Sequence, residues 1–421
     1  MSTTAEAGER KYKTLAANTA LISFATVGSK LMVFFMVRFY TGYMSPADYG
    51  TADIITQTAN LLIPLVSLGM AEGVFRFAAL RPDKGREAFT AGLVCSIFGT
   101  ALLAVFRLGI TGYVLSVAAA DAGCTLWLVL KKRLWRELTL RVSPEFFRRM
   151  LAYSVPLIPT AIFWWITGVS DRYMISGFLG SAANGIYSVS SKLPTMLTVL
   201  STVFMDAWQL SAVTESGGDA SEHRRFYSHI WSLFHAGVII CAALMIALSK
   251  IGIMLLADEE YFSAWRYVPA LTLAMVCSAF SSFMGSVYTV TGESRQAFRT
   301  AMAGAVLNIA LNLALIPSPL GVQGAAIATF VSCLAVYVIR AVSVRRLISF
   351  DTDPLRCALD LIIVSVQAAF IVLDAPLWLP IQFAAVTSLC FINRAPLMQC
   401  AVKIWGYLHP TGKHLKQKHF R

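Results

Sequence analysis

Four cationic side chains stand inside stretches that are otherwise apolar enough to cross a membrane, namely Lys30, Arg38, Arg172 and Lys192. An ionisable residue at membrane depth costs on the order of 3 kcal/mol unless it faces a cavity or a partner, so each is a candidate functional residue. Arginine and lysine donate charge-assisted hydrogen bonds to phosphate oxygens. The four cations would therefore suit an anionic cargo that carries a pyrophosphate.

The depth of these cations differs. Lys30 lies roughly 15 Å from the predicted outer end of its helix, which is too far for its ammonium to reach the surface easily. Arg38 is close enough to that end for its guanidinium to reach the headgroups, and this interpretation is as good as a role in binding.

Polar residues also follow one face of the second predicted helix. Asp53, Gln57 and Asn60 recur near the period of 3.6 residues, which places them on one stripe. A polar stripe on a spanning helix has to face protein or water rather than lipid. We therefore expect these three side chains to face protein or a water-filled cavity.

The remaining charges within helices include two further acids. Asp171 precedes Arg172 directly, and Asp121 lies at mid-depth in the fourth predicted helix. Both are candidates for orienting cations or coupling ions, and Asp121 could instead pair with Lys30. Glu72 and Arg76 are one turn apart, which favours a structural ion pair at a helix end.

The composition predicts an all-α polytopic membrane protein, because 57% of the 421 residues are hydrophobic and only 14% are charged. A spanning helix needs about 20 mainly apolar residues. The sequence offers twelve such segments: 15–40, 49–79, 88–106, 109–130, 150–179, 183–209, 228–249, 265–291, 299–316, 322–343, 356–374 and 377–397.

The positive charges indicate how these helices are oriented. About 28 of the 35 Lys and Arg residues fall in alternate gaps between the predicted helices. Cytoplasmic loops retain Lys and Arg, so both chain termini are predicted to be cytoplasmic. The net charge of +12 is then explained by anionic lipid headgroups, and nucleic acid is not expected as a partner.

An internal repeat divides the predicted helices. Each unit has an Arg near the outer end of one helix, a short loop, a Gly, and a polar residue seven positions after that Gly. The two units are Arg38, Gly50 and Gln57, and then Arg172, Gly185 and Lys192.

The repeat predicts two pseudo-symmetric lobes. The first, of about four helices with a basic connector, covers 1–142, and the second, of about six helices, covers 143–349. Two extra helices and a basic cytoplasmic tail occupy 350–421.

Several motifs of enzymes are missing from the sequence. There is no GxxxxGK[ST] phosphate loop, no HExxH and no GxSxG. The six His have no metal-ligand spacing, and the eight Cys form no CxxC pair. We therefore expect neither catalysis nor a metal nor a cofactor.

Three groups of motifs resemble one family of membrane transporters. They are Ser45-Pro46-Ala47-Asp48-Tyr49-Gly50, then Val155–Pro159 with Trp164-Trp165 and Ser170-Asp171-Arg172-Tyr173, and finally Asn308–Asn312 with Ile316-Pro317, Gly321 and Gly324–Thr329. Over residues 10–345 the chain resembles the oligosaccharide flippase (Wzx-type) branch of the multidrug/oligosaccharidyl-lipid/polysaccharide exporter superfamily.

This resemblance implies a function. A flippase of this type would move a polyprenyl-pyrophosphate-linked oligosaccharide across the bacterial cytoplasmic (inner) membrane by alternating access, for capsule, exopolysaccharide or O-antigen assembly. Its partners would include the lipid bilayer and the associated polysaccharide polymerase and glycosyltransferases. The Asp171-Arg172 motif carries over directly from the family. Under this resemblance the four cations would receive the pyrophosphate, and Asp53, Gln57 and Asn60 would contact sugars or line the transport path.

The chain departs from the family pattern of six helices in the first lobe. The segment Leu108–Tyr113 resembles the start of the family's sixth helix but follows the third predicted helix almost directly. The first lobe is therefore expected to be two helices short, which leaves a non-transporting truncated relative or a scaffold as an alternative.

Two rival functions remain. An ion-coupled multidrug exporter of the same superfamily would favour acidic cavity residues, and the four cations argue against it. A membrane-embedded glycosyltransferase or polymerase would usually carry a large outer loop, and no predicted outer loop exceeds about 20 residues.

Overall fold

The computed structural model describes residues 27–28, 30–66, 130, 157–214, 220–291, 293–347 and 350–399. These residues form helices and turns without any strand, so the all-α prediction is confirmed. Besides α1 (30–41), the helices are α2 Pro46–Val66, α3 Leu157–Leu179, α4 Ser181–Thr214, α5 Ala220–Ala247, α6 Ser249–Leu256, a 3₁₀ helix Glu259–Arg266, α7 Val268–Thr291, α8 Ser294–Leu315, α9 Val322–Val344, α10 Pro354–Val372 and α11 Trp378–Ile392.

Five stretches within these helices are long and apolar enough to cross a membrane. They are Arg224–Ala247, Val268–Tyr288, Arg295–Leu315, Val322–Val344 and Pro354–Val372. The predicted helices 88–106 and 109–130 and the basic connector lie outside the described residues, apart from the helical residue 130. Asp121, Glu72 and Arg76 also lie outside them.

The described residues divide into two compact units. Unit 1 contains those within Met1–Lys192, Ile253–Ala264 and Ala305–Ala328, and unit 2 contains the rest. Helices α4, α6, α8 and α9 and the 3₁₀ helix each contribute one part to unit 1 and the other part to unit 2. These units therefore follow a different division from the lobes drawn on the sequence, and the lobe boundaries stay a prediction.

Unit 1 is organised around a close crossing of α2 and α4. A Cβ atom at Gly50 would lie 1.9 Å from the Ser181 carbonyl oxygen, and one at Gly185 would lie 1.9 Å from that of Pro46. Each of these oxygens belongs to the residue four positions before the partner glycine, so the contact is reciprocal. The two backbones come this close because neither glycine carries a side chain.

A segment from further along the chain covers the turn between α1 and α2. The backbone N–H of Asp258 donates to Thr41 Oγ1 at 3.1 Å. The Tyr261 hydroxyl donates to the Met44 carbonyl at 2.8 Å. Burial and the neighbouring carboxylates raise the pKa of Tyr261, so this phenol keeps the proton that it donates.

Unit 2 has an aromatic core contributed by α4, α5 and α7. The Phe283 ring stacks on Trp208 at 5.2 Å and on Phe234 at 5.6 Å between ring centroids. Helices α10 and α11 pack against each other and against α5, and α10 also contacts α7. The helices that the sequence places after the second lobe are thus packed together with α5 and α7.

Two polar contacts hold the α10–α11 hairpin in unit 2. Buried Gln367 in α10 donates from Nε2 to the Ala243 carbonyl at 2.9 Å and to Gln382 Oε1 at 2.8 Å. In the loop before α11, Asp374 pairs with Lys250 at 2.7 Å. The Lys250 ammonium also lies 4.4 and 4.5 Å from the ring centroids of Trp265 and Trp378, within cation–π range.

The glycine crossing predicts an asymmetry among glycine substitutions. Gly50→Ala and Gly185→Ala would each push a methyl group into backbone, which cannot move aside as a side chain can. We expect each to destabilise the protein by about 2 kcal/mol or more. Gly177→Ala in α3 is the control, because nothing lies within 4 Å of its Cβ position. Thermal unfolding in detergent measures the difference, and equal melting temperatures for all three variants would contradict the prediction.

Candidate functional site

The best-defined polar cluster in unit 1 surrounds the guanidinium of Arg172 in α3. Arg172 Nη1 donates to Asp53 Oδ1 at 2.6 Å and to Oδ2 at 2.7 Å. The same nitrogen donates to Ser188 Oγ at 3.0 Å, and Nη2 donates to Ser191 Oγ at 3.1 Å. The arginine of one helix is thereby joined to acceptors on two others, α2 and α4.

The glycine crossing explains why these acceptors converge. Asp53 and Ser188 each lie three residues after one of the two glycines, that is, almost one helical turn beyond the crossing. Asn184, next to the crossing, donates from Nδ2 to the Gly50 carbonyl at 2.9 Å. The close approach of α2 and α4 thus brings Asp53 and Ser188 within reach of the same arginine of α3.

The ion pair at this site is almost out of contact with solvent. The side chains of Arg172 and Asp53 are 13% and 7% exposed. Two charges in such surroundings attract strongly, but each loses its hydration shell. The hydrogen bonds from Arg172 to the two serines offset part of that loss.

Asp171 lies beside Arg172 but makes different contacts. Its Oδ1 accepts from the backbone N–H of Arg172 at 2.8 Å, and its Oδ2 accepts from the Tyr187 hydroxyl at 2.5 Å. The two carboxylates of the cluster therefore differ: Asp53 binds the guanidinium, and Asp171 binds a backbone amide and a phenol.

Lys192 and Lys30 extend the positive charge of the cluster. Lys192 lies one turn after Ser188 on α4, and the charges that act on its ammonium are those of Arg172, Asp53 and Lys30. The Lys30 side chain is exposed on α1. Of the four predicted cations, the structure thus brings three into one electrostatic cluster.

The fourth predicted cation has other partners. Arg38, whose side chain is 54% exposed, donates from Nη1 to the Ala257 carbonyl and faces Asp258 at 3.8 Å. On α2, Gln57 donates from Nε2 to Asp53 Oδ1 at 3.5 Å, whereas Asn60 is exposed. Gln57 thus borders the cluster.

Sequence reasoning missed several members of this cluster. Ser188 and Ser191 bind the guanidinium, and Tyr187 binds Asp171. A signal was available, because Asn184, Ser188 and Ser191 precede Lys192 at helical spacing and form a polar stripe on α4.

A second buried polar cluster, in unit 2, was also missed. Arg356 donates to Asn393 Oδ1 and to Ser232, and Asn393 Nδ2 donates to Asp360 Oδ2 at 2.9 Å. His235 Nδ1 lies 3.7 Å from that same oxygen. The cluster borders a cavity of about 130 Å³ that is lined in part by His235 and Arg356.

The criterion that selected the four predicted cations, an ionisable residue within an apolar helix, also applies to the second cluster. Asp360 and His235 are ionisable residues within apolar helices, and in the structure they are 0% and 1% exposed. The hydrogen bonds from Arg356 to Ser232 and to Asn393 join α10 to α5 and to the residue that follows α11. On α8, Asn312 donates from Nδ2 to Asn308 Oδ1 at 3.0 Å.

Comparisons with known proteins support the resemblance inferred from the motifs. The model of a family described as polysaccharide biosynthesis protein matches residues 94–208. The fold is similar to that of the lipid II flippase MurJ in an inward closed conformation, with a TM-score of 0.54 at 13% identity, over 92% of this chain and 98% of that one. No curated protein matches the chain in sequence. The predicted resemblance to proteins of polysaccharide biosynthesis is thereby confirmed over residues 94–208, and the similarity to MurJ is one of fold.

The buried ion pair makes a testable prediction about stability. Arg172→Gln leaves the Asp53 carboxylate buried without its counter-ion, and we expect a loss of about 3–5 kcal/mol in the free energy of unfolding. The double variant Asp53→Asn with Arg172→Gln removes both charges and should recover most of that loss.

Arg38→Gln serves as the control, because an exposed ion pair contributes about 1 kcal/mol or less. Denaturant unfolding of all variants in one detergent gives the comparison. Strictly additive losses in the double variant would show that Asp53 and Arg172 are not energetically coupled.

Proposed function

We propose that this protein is a flippase that translocates a polyprenyl-pyrophosphate-linked oligosaccharide across the bacterial cytoplasmic membrane. The observation that carries the proposal is the cluster of Arg172, Lys192 and Lys30, three cations contributed by α3, α4 and α1. A pyrophosphate that enters a region of low dielectric constant needs cationic partners, and this cluster offers them. Surface polysaccharide assembly, with its glycosyltransferases and polymerase as partners, is the process that such a flippase would serve.

The comparisons support this function in two ways. The matching family is one of polysaccharide biosynthesis, and the solved structure with a similar fold is that of a lipid flippase. The similarity in fold spans 98% of the MurJ chain. Alternating access, with both termini cytoplasmic, is the mechanism we propose.

The roles of individual residues follow from their contacts. Lys192 and Lys30 would meet the pyrophosphate first, because the guanidinium of Arg172 is already bound by Asp53 and two serines. Asn60, exposed on α2, would face the sugars. Arg38, which faces Asp258, would attract the anion from the outer side. Asp171 would orient the cluster through Tyr187.

The charge of the cluster also weighs against the runner-up, an ion-coupled multidrug exporter. Such an exporter would present unpaired carboxylates to a cationic drug. Here Asp53 is neutralised by Arg172, and Asp171 accepts from a backbone amide and a phenol. The described part of the site therefore favours an anionic cargo.

Complementation of a flippase-deleted host tests the proposal. Lys192→Gln and Lys30→Gln should each lower surface polysaccharide by about tenfold or more, because each removes a charge-assisted contact of about 1.5–3 kcal/mol with the pyrophosphate. Arg299→Gln is the control, because Arg299 is exposed on α8 and its substitution removes one positive charge outside the cluster. Polymer is scored against the amount of protein in the membrane.

Wild-type levels of polymer in both lysine variants would overturn the assignment of the cluster as the pyrophosphate site. Stable wild-type protein that restores no polymer, against several oligosaccharide backgrounds, would instead point to a non-transporting relative.

A further inference from the structure

We propose that Asp53 is a resident counter-ion, which holds Arg172 while the site is empty and which the pyrophosphate of the substrate displaces. This inference rests on the proposed function, and it gives Asp53 a role other than contact with sugars. It starts from the geometry of the ion pair, in which both carboxylate oxygens accept from one arginine nitrogen at 2.6 and 2.7 Å.

The contacts of Asp53 occupy the place that an anionic ligand would take. A carboxylate and a phosphate offer the same guanidinium equivalent oxygen acceptors, so they compete for it. The Lys192 charge also acts on Asp53, which therefore lies in the field of two cations. A pyrophosphate carries more charge and more acceptor oxygens than one carboxylate, and it can engage Arg172 and Lys192 together.

The two serines allow the exchange to occur without loss of the arginine position. Ser188 and Ser191 are both on α4, and they bind separate nitrogens of the guanidinium. When Asp53 is displaced, these bonds keep the guanidinium in place. When the pyrophosphate leaves, Asp53 neutralises Arg172 again, so that the empty site never exposes an unpaired arginine to a medium of low dielectric constant.

The exchange also connects occupancy of the site to a contact between helices. Asp53 belongs to α2 and Arg172 to α3, and these helices pack against each other. A ligand shifts a conformational equilibrium only as far as it binds one state better than the other. Displacement of Asp53 supplies such a difference, because the α2–α3 ion pair exists only while the site is empty.

Asp171 provides a matched control for the proposed role. It lies in the same cluster and carries the same functional group, yet it accepts from the Arg172 backbone and from Tyr187, not from the guanidinium. A general electrostatic effect of removing one carboxylate would be similar at both positions. An effect of freeing the guanidinium would be confined to Asp53.

The experiment measures ligand-induced stabilisation of detergent-purified full-length protein. Farnesyl diphosphate is the probe, and farnesol is the neutral control. The melting temperature is followed as a function of probe concentration for wild type, Asp53→Asn and Asp171→Asn. Without the probe, Asp53→Asn should have the lowest melting temperature of the three proteins. With the probe, its melting temperature should rise the most, and it should bind farnesyl diphosphate about tenfold more tightly than wild type. Asp171→Asn should show no gain in affinity for the probe over wild type, because it frees no hydrogen-bond donor of the guanidinium.

Each result is decisive. If wild type responds to the diphosphate but Asp53→Asn binds it no more tightly, the counter-ion role is wrong while the proposed function stands. An equal gain for Asp171→Asn would also overturn it. If neither wild type nor Asp53→Asn responds, the pyrophosphate site itself is wrong, and the inference falls with it. If Asp53→Asn is recovered poorly, Asp53→Ser gives the same comparison. The yield of Asp53→Ser should rise when farnesyl diphosphate is present during purification.

Discussion

Charged side chains inside a bilayer are stable only where protein groups replace the water that they lose, and this constraint explains the arrangement of unit 1. Arg172 needs a counter-ion and several acceptors within reach, and one helix cannot supply them. They come from α2 and α4, whose backbones touch at Gly50 and Gly185. The polar chemistry of the site thus depends on an apolar feature, the absence of two side chains at a helix crossing.

The reciprocal form of that crossing also explains the sequence repeat. Gly50 and Gly185 precede polar residues at the same spacing, and this repeat predicts that they occupy equivalent positions in two separate lobes. In the structure these glycines contact each other, and the polar residues that follow them belong to one cluster. Equivalent positions related by a local pseudo-two-fold axis would produce such a contact.

The sequence predicted what depends on local composition and periodicity. The apolar helices, the cations within them and the polar stripe of α2 all follow from residue types at fixed spacing. The partner of Arg172 could not be predicted in this way, because periodicity shows which face of a helix is polar but not which helix lies opposite. For the same reason the sequence could not predict the cluster of His235 and Asp360. These residues are 125 positions apart in the chain, and His235 Nδ1 lies 3.7 Å from Asp360 Oδ2.

A transporter that carries an anion passes through states with and without its cargo. The balance of charge in the site affects the free energy of both states. A cluster of cations without any carboxylate would bind a pyrophosphate strongly, but its empty form would hold several unpaired charges. One carboxylate at hydrogen-bond distance weakens the binding and stabilises the empty form by the same interaction, since a ligand that must displace it gains only the difference. Asp53 on α2, bound to Arg172 and in the field of Lys192, meets this requirement. Asp171 does not, because its oxygens face a backbone amide and Tyr187.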